Sequence, residues 1–103
     1  MKLTETEKRK IKQELAACLA GQQEVRKVMI FGSFLTSDDP QDLDVAVFQD
    51  SSEHYLPLAL RYRKLLRPVA DQIPLDVMPL RTTVPGGWFV RSEVLRGEVI
   101  YER

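Results

Sequence analysis

Two carboxylates, Asp42 and Asp44, stand at the start of an apolar run with the composition of a β-strand, residues 43–48. Side chains two residues apart point the same way from an extended backbone, so these two charges repel unless something positive lies between them. Asp76 stands inside a second apolar run, residues 73–78, where an unpaired carboxylate is costly to bury. Any fold of this chain must therefore give three strand-borne acids either solvent or a cation.

Two roles could explain these acids: protection of a strand edge against aggregation, or binding of a metal ion. Charges at a strand edge discourage edge-to-edge aggregation, and Asp42 and Asp44 could have that role. Asp76 fits it poorly, because it lies within an apolar run. Three carboxylates brought side by side by two strands of one sheet would instead offer the oxygen ligands that Mg²⁺ or Mn²⁺ prefers. We therefore predict that Asp42, Asp44 and Asp76 bind a divalent metal ion.

Helical and strand patterns alternate along the rest of the chain. Thr4 and Glu7 have the spacing of a capping box, and Gly21 should end the helix that they begin. A second helix is expected after Asp50, with Ser51 and Ser52 as candidate caps, Pro57 near its start and Pro68 at its end. Strands are predicted at residues 25–31, 43–48, 73–78 and 98–102, and a short helix at 88–96. This order predicts an α/β domain with few, central strands.

Length and charge narrow the class of protein. A chain of 103 residues is expected to form one domain, residues 1–103. Fifteen basic and fifteen acidic residues cancel, which makes nucleic acid or a membrane surface an unexpected partner. The single cysteine, Cys18, lies in an apolar helical pattern and is predicted to be a reduced, buried thiol, which fits a cytoplasmic location.

A Gly-Ser pair follows the first predicted strand. Gly32 would let the backbone approach a ligand closely, while successive backbone N–H groups and the Ser33 hydroxyl could hold a phosphate oxygen. Gly-Ser after a strand is a weak signal alone, since strand ends often carry glycine for turn geometry. Asp42 follows Ser33 by nine positions and Asp44 by eleven, so a short excursion should bring the chain back beside the strand that ends at Phe31.

This pattern resembles the DNA polymerase beta-like nucleotidyltransferase superfamily, in particular its minimal, single-domain members, including those of antitoxin type. The shared motif is an apolar residue, Gly-Ser, about ten residues, Asp-apolar-Asp-apolar and a later acid, which here are Phe31, Gly32, Ser33, Asp42, Leu43, Asp44, Val45 and Asp76. The tail at residues 94–102 also resembles the family's ending. The sequence differs in the segment after Ser33, residues 34–41, which lacks the basic residue and second glycine of many minimal members.

The resemblance implies a small mixed β-sheet with flanking helices and transfer of a nucleoside monophosphate from a nucleoside triphosphate, expected to be ATP, to a hydroxyl. Asp42, Asp44 and Asp76 would be the catalytic and Mg²⁺- or Mn²⁺-binding residues. Gly32 and Ser33 would bind the nucleotide at its β- and γ-phosphates. Minimal members commonly resemble antitoxins paired with a small helical HEPN-type toxin, so a partner protein of that kind is expected. A catalytically inactive binding module with the same fold stays open as the alternative.

Other chemistries fit less well. The segment from Asp38 to Asp44 lacks the central glycine and closing glutamate of a calcium-binding EF-hand loop. Ser33 lacks the Gly-x-Ser-x-Gly context of a hydrolase nucleophile, and His54, the one histidine, is expected to be a solvated residue at a helix start. One cysteine and one histidine make a zinc site improbable.

Overall fold

The computed structural model of the chain describes residues 2–81 and 96–103. Its elements, in chain order, are α1 (Glu5–Ala20), β1 (Val25–Phe31), α2 (Ser33–Thr36), β2 (Leu43–Gln49), α3 (Tyr55–Leu65), α4 (Arg67–Ala70), β3 (Leu75–Arg81) and β4 (Glu98–Glu102). Among these residues, no helix combines the length and the apolar character needed to cross a membrane. The helix predicted at 88–96 lies, apart from its last residue, outside the described residues.

The four strands form one mixed sheet in the order β3-β2-β1-β4. The central strand β1 is antiparallel to both β2 and β4, whereas β2 and β3 are parallel. A parallel pair needs a crossover rather than a hairpin, and α3 and α4 supply it between β2 and β3. The predicted α/β fold with a small mixed sheet and flanking helices is confirmed.

The hydrophobic core lies between the helices and one face of this sheet. Alternate residues of β2, namely Leu43, Val45 and Val47, are fully buried in it. The helices, and the turn residue between α3 and α4, contribute Ile11, Leu15, Leu19, Leu58, Tyr62, Leu66 and Val69 to the same cluster. Because side chains of a strand alternate between its two faces, the intervening residues of β2 point to the opposite side of the sheet. Asp44, one of the acids predicted to bind metal, belongs to that second set.

The helix boundaries follow local chemistry with one exception. The Thr4 and Glu7 capping box is present at the start of α1, with both reciprocal hydrogen bonds, as predicted. The start of α3 was predicted wrongly, because neither Ser51 nor Ser52 caps it. The N-cap is His54, which forms no side-chain capping bond, while the Ser51 hydroxyl accepts a hydrogen bond from the Glu53 N–H in the preceding turn.

The prolines mark the segment between α3 and β3. Pro68 ends the helical run as expected, and the chain restarts at once because Pro68 fits the first turn of the short helix α4. The third strand begins later than predicted, at Leu75, and continues through Pro79. Proline lacks an N–H donor, but β3 pairs only with β2 among the described strands, so Pro79 is tolerated on this outer strand.

Cys18 is a free thiol that is half-buried beside the core rather than fully enclosed. The Cys18 side chain lies on a side of α1 that is partly exposed to solvent. The apolar periodicity of the sequence did not predict this partial exposure. Burial, and then the charge of Glu14, raises the pKa of the Cys18 thiol. The protonated form is therefore favoured.

A polar cluster ties α3 to the start of β1. Glu24 accepts hydrogen bonds from the Tyr62 hydroxyl (2.8 Å) and the Arg61 guanidinium (2.8 Å), and Arg61 also contacts Glu53. Burial alone would raise the pKa of Glu24, but hydrogen bonds from its own backbone, Tyr62 and Arg61, with the charge of Arg61, outweigh burial and lower it. The cluster satisfies the phenol of Tyr62, a side chain that is otherwise enclosed in the core.

This cluster predicts a pH-dependent contribution to stability. A carboxyl whose folded pKa is lowered stabilises the fold above its unfolded pKa and loses that effect as pH falls through the folded value. Replacing Glu24 with Gln should lower the melting temperature at pH 7 by about 5 °C, since the charge-assisted hydrogen bonds contribute about 1 kcal/mol. The difference from wild type should shrink below about pH 4. Thermal melts across pH measure it, with Glu102→Gln, an exposed position outside the cluster, as the control; a constant difference across pH would contradict it.

Candidate active site

Two of the predicted site acids are direct neighbours across the parallel strand pair. Asp44 of β2 is in register with Asp76 of β3, and neighbouring strands lie about 4.8 Å apart. Val45 and Val77, the next residues along each strand, are buried in the core. The two acids therefore lie on the face of the sheet that points away from the helices. Asp44 is half-buried there and Asp76 is exposed.

The third predicted ligand, Asp42, lies two residues before Asp44, outside the strand, and is exposed. In residues 2–81 and 96–103 no group of three or more His, Cys, Asp or Glu side chains lies close enough together to hold a metal ion. The strand register thus pairs Asp44 with Asp76, while Asp42 precedes the strand and is not part of that pair. The ligand atoms that Asp42, Asp44 and Asp76 offer are carboxylate oxygens, and their chemistry fits Mg²⁺ or Mn²⁺.

The position of the Asp44 carboxylate requires a glycine at residue 32. Gly32 follows Phe31, which is the antiparallel register partner of Asp44, and it has φ 85° and ψ −157°, a conformation essentially restricted to glycine. A Cβ at position 32 would lie 2.5 Å from Oδ2 of Asp44. The glycine therefore makes room for the carboxylate itself, a reason for glycine that the phosphate interpretation of this turn did not include.

Ser33 is the first residue of α2, a single helical turn. The carbonyl of Gly32 accepts a hydrogen bond from the Leu35 N–H at 3.1 Å, and that of Ser33 accepts one from the Ser37 N–H at 2.9 Å. After this turn the chain returns antiparallel to β1, as the spacing of the motif predicted. Ser33 is half-buried, and its role as a phosphate ligand stays a prediction.

The start of α1 holds the segment between Ser33 and the acids. The buried amine of Lys8 donates to the carbonyl of Ser37 at 2.6 Å, which caps the C-terminal end of α2, and lies 5.5 Å from the centre of the Phe34 ring. The N–H of Leu3 donates to the carbonyl of Asp38 at 2.8 Å. These contacts fix the excursion that connects the Gly-Ser turn to the acid-bearing strand.

Sequence reasoning missed Lys8. Its position three residues before Ile11 and seven before Leu15 continues the apolar stripe of α1 toward the N-terminus. A charged residue on the buried face of a helix signals a specific partner, because an unpaired buried ammonium is costly. The partner is a backbone carbonyl distant in sequence, and only the folded structure identifies it.

These features define a class: an α/β domain in which a Gly-Ser turn and two strand-borne aspartates meet on the face of a mixed sheet opposite the described helices. A family model described as Polymerase beta, Nucleotidyltransferase matches residues 13–103. The chain belongs to this family and is a minimal nucleotidyltransferase of the polymerase beta-like superfamily. The match begins at residue 13, so Lys8, which donates a hydrogen bond to the Ser37 carbonyl, lies before the matched region. No curated protein matches the sequence at a significant level.

The contact between Gly32 and Asp44 predicts that Gly32→Ala destabilises the protein. The new methyl group would clash with the carboxylate and occupy a backbone conformation that alanine rarely adopts, at a cost of about 1–3 kcal/mol or more. Gly21→Ala is the matched control, because a Cβ there meets nothing within 4 Å and φ is −77°. Urea unfolding measures both variants. Shortening the acid in Gly32→Ala/Asp44→Ala should recover part of the loss; equal stability of the two single variants would contradict the geometry.

The Lys8 contacts predict that Lys8→Met loosens the excursion that follows α2. The carbonyl of Ser37 would lose its charged donor, which costs about 1–3 kcal/mol when the group is poorly solvated. Hydrogen exchange should show faster exchange of the Ser37 and Asp39 amides, while Lys10→Met, at an exposed position of α1, should leave them unchanged. Unaltered exchange in Lys8→Met would show that the lysine does not hold this segment.

Proposed function

We propose that this protein transfers a nucleoside monophosphate from a nucleoside triphosphate to a hydroxyl of a protein or small-molecule acceptor. The observation that carries the proposal is the in-register pair of Asp44 and Asp76, beside the Gly32 turn and on the face of the sheet opposite the described helices. Membership of the polymerase beta nucleotidyltransferase family supports the same chemistry.

In the proposed reaction the acceptor oxygen forms a bond to the α-phosphorus, and the bond from that phosphorus to the bridging oxygen of the β-phosphate breaks. Pyrophosphate leaves, and the hydroxyl proton passes to solvent. Gly32 and Ser33 bind the β- and γ-phosphates through backbone N–H groups and the hydroxyl. Asp42, Asp44 and Asp76 would hold Mg²⁺ or Mn²⁺, which would neutralise triphosphate charge and promote ionisation of the attacking hydroxyl.

We further propose that ATP is the donor and that the acceptor is a partner protein, with this chain acting as the antitoxin of a two-gene pair in the cytoplasm. The resemblance to minimal antitoxin-type members favours a small helical HEPN-type partner. This finer assignment depends on the resemblance and on the family, and the described site supports the transfer chemistry rather than the identity of the acceptor.

A binding module without catalysis is the second candidate. One feature favours it: the segment from Phe34 to Gln41 contains no lysine or arginine and carries Asp38 and Asp39, so the turn that should meet the triphosphate brings negative charge. Anchoring of the phosphates then depends on backbone N–H groups and the bound ion. In this alternative the protein neutralises its partner by contact, and the site acids are dispensable for neutralisation.

Metal and nucleotide binding test the transferase proposal directly. We expect calorimetry with Mn²⁺, and with ATP in its presence, to show binding that is lost in Asp42→Asn/Asp44→Asn. Transfer of label from α-labelled ATP to the partner should fall by at least about 100-fold in this variant, because electrostatic stabilisation of the reacting phosphoryl group has this magnitude. Asp71→Asn, at the exposed end of α4, is the matched control.

The two candidates separate in the mass of the partner after co-expression. A transferase leaves the partner heavier by one nucleotide unit with the wild-type protein and unmodified with Asp42→Asn/Asp44→Asn, and only the wild type neutralises it. A partner that is neutralised yet unmodified by the wild-type protein would exclude the transferase function for this system and leave the binding module.

A further inference from the structure

Helix α3 exposes a concentrated apolar surface. Tyr55, Leu56 and Leu60 are 56%, 64% and 55% exposed, and they are three of the four large apolar side chains classed as exposed in the described part of the chain. Leu56 and Leu60 are four residues apart and so form a row about 6 Å long on one face of the helix. We call Leu56 and Leu60 the α3 patch; Tyr55, one residue before Leu56, is exposed on a neighbouring side of the first turn. Clustered exposed apolar residues of this kind mark interaction surfaces more often than scattered ones do.

Positive charge borders the α3 patch at its C-terminal end. Lys64 continues the row of Leu56 and Leu60, Arg63 lies three residues after Leu60, and Arg67 follows in α4. All three are exposed, and none of their side chains forms an ion pair or a hydrogen bond with another described residue. We call these three residues the basic border. Arg61, on the side of α3 nearer the core, is by contrast committed to Glu24 and Glu53.

The charge of the basic border decides among the surfaces that could cover the patch. A second copy packed with its α3 parallel would oppose like charges, which is unfavourable. In an antiparallel pair the basic border would face the start of the other α3, where the preceding acids Asp50 and Glu53 are already paired with Arg26 and Arg61. A membrane surface fits poorly, because the apolar row spans about one helical turn, the opposite face of α3 is committed to the core through Leu58 and Tyr62, and the chain has no net charge. A partner with an apolar row next to carboxylates satisfies both parts of the surface.

We propose that the outward face of α3 is a docking surface for an acidic amphipathic helix of another protein. Apolar residues of that helix, spaced by three or four, pack on the α3 patch, and its Asp or Glu residues pair with the basic border. The docking surface lies on the helical layer, whereas Asp44 and Asp76 lie on the opposite face of the sheet. Docking is therefore separable from the carboxylate site and does not depend on nucleotidyl transfer.

Site-specific photocrosslinking tests this inference in the full chain. Benzoylphenylalanine is placed at position 56 in cells of the source organism, and mass spectrometry locates the crosslinked segment. The control places the same group at position 99, where Val99 of β4 is 45% exposed and lies on another part of the surface. We expect crosslinks from position 56 to a segment of another protein with apolar residues three or four apart and an excess of Asp and Glu.

Charge reversal supplies the second measurement. Arg63→Glu/Lys64→Glu should lower the crosslink yield from position 56 by about tenfold, because two attractive contacts become repulsive. Lys2→Glu/Lys10→Glu, an equal charge change at exposed positions, should leave the yield unchanged. Circular dichroism and ATP binding of both variants should match those of the wild type, since none of the four residues is buried or part of the candidate active site.

Several outcomes would overturn the proposal. Crosslinks to a second copy would assign the surface to self-association, and crosslinks to lipid would assign it to a membrane. A crosslinked segment without acidic residues, a yield at position 56 no greater than at position 99, or a yield insensitive to charge reversal would each exclude an acidic helical partner. A wild-type chain that binds no nucleotide but gives the expected crosslinks would leave this inference standing and remove only the transferase function.

Discussion

The antiparallel pairing of β1 with β2 is the constraint on which the site depends. It places Phe31 opposite Asp44, so that the residue after Phe31 meets the carboxylate directly. Only glycine leaves room there, because a Cβ at position 32 would lie 2.5 Å from the acid. Two parts of the motif that are distant in sequence are thus a single packing contact. The conformation of the turn and the position of the acid are fixed together.

The sheet separates two sets of tasks. One face carries the core, with α1 and α3 packed on it, and the other carries Asp44 and Asp76. Because the helices bury their apolar residues on the first face, the outward side of α3 is free to present a second surface to solvent. Chemistry and partner contact can therefore be assigned to different sides of a small protein without competing for the same residues.

Much of this architecture was predictable from the sequence at positions where neighbouring residues favour only one local structure. The capping box at Thr4 and Glu7 and the strand at residues 25–31 were predicted at their observed boundaries, since both depend on residues adjacent in sequence. Predictions were wrong where local signals compete. Ser51 was expected to cap α3 but forms a turn of its own. The third strand was expected to stop before Pro79 but continues to Arg81, where it pairs only with β2 among the described strands.

The sequence by itself determined the family, the order of the elements and the types of residue available for chemistry, because composition and short-range spacing encode these properties. Tertiary structure alone decided which of those residues meet. The register of β2 and β3 pairs Asp44 with Asp76 and leaves Asp42 outside the pair, and the fold of the excursion gives Lys8 a carbonyl partner 29 residues away. Such contacts depend on how strands align and how helices pack on them, which is settled by the burial of many side chains at once rather than by any single segment.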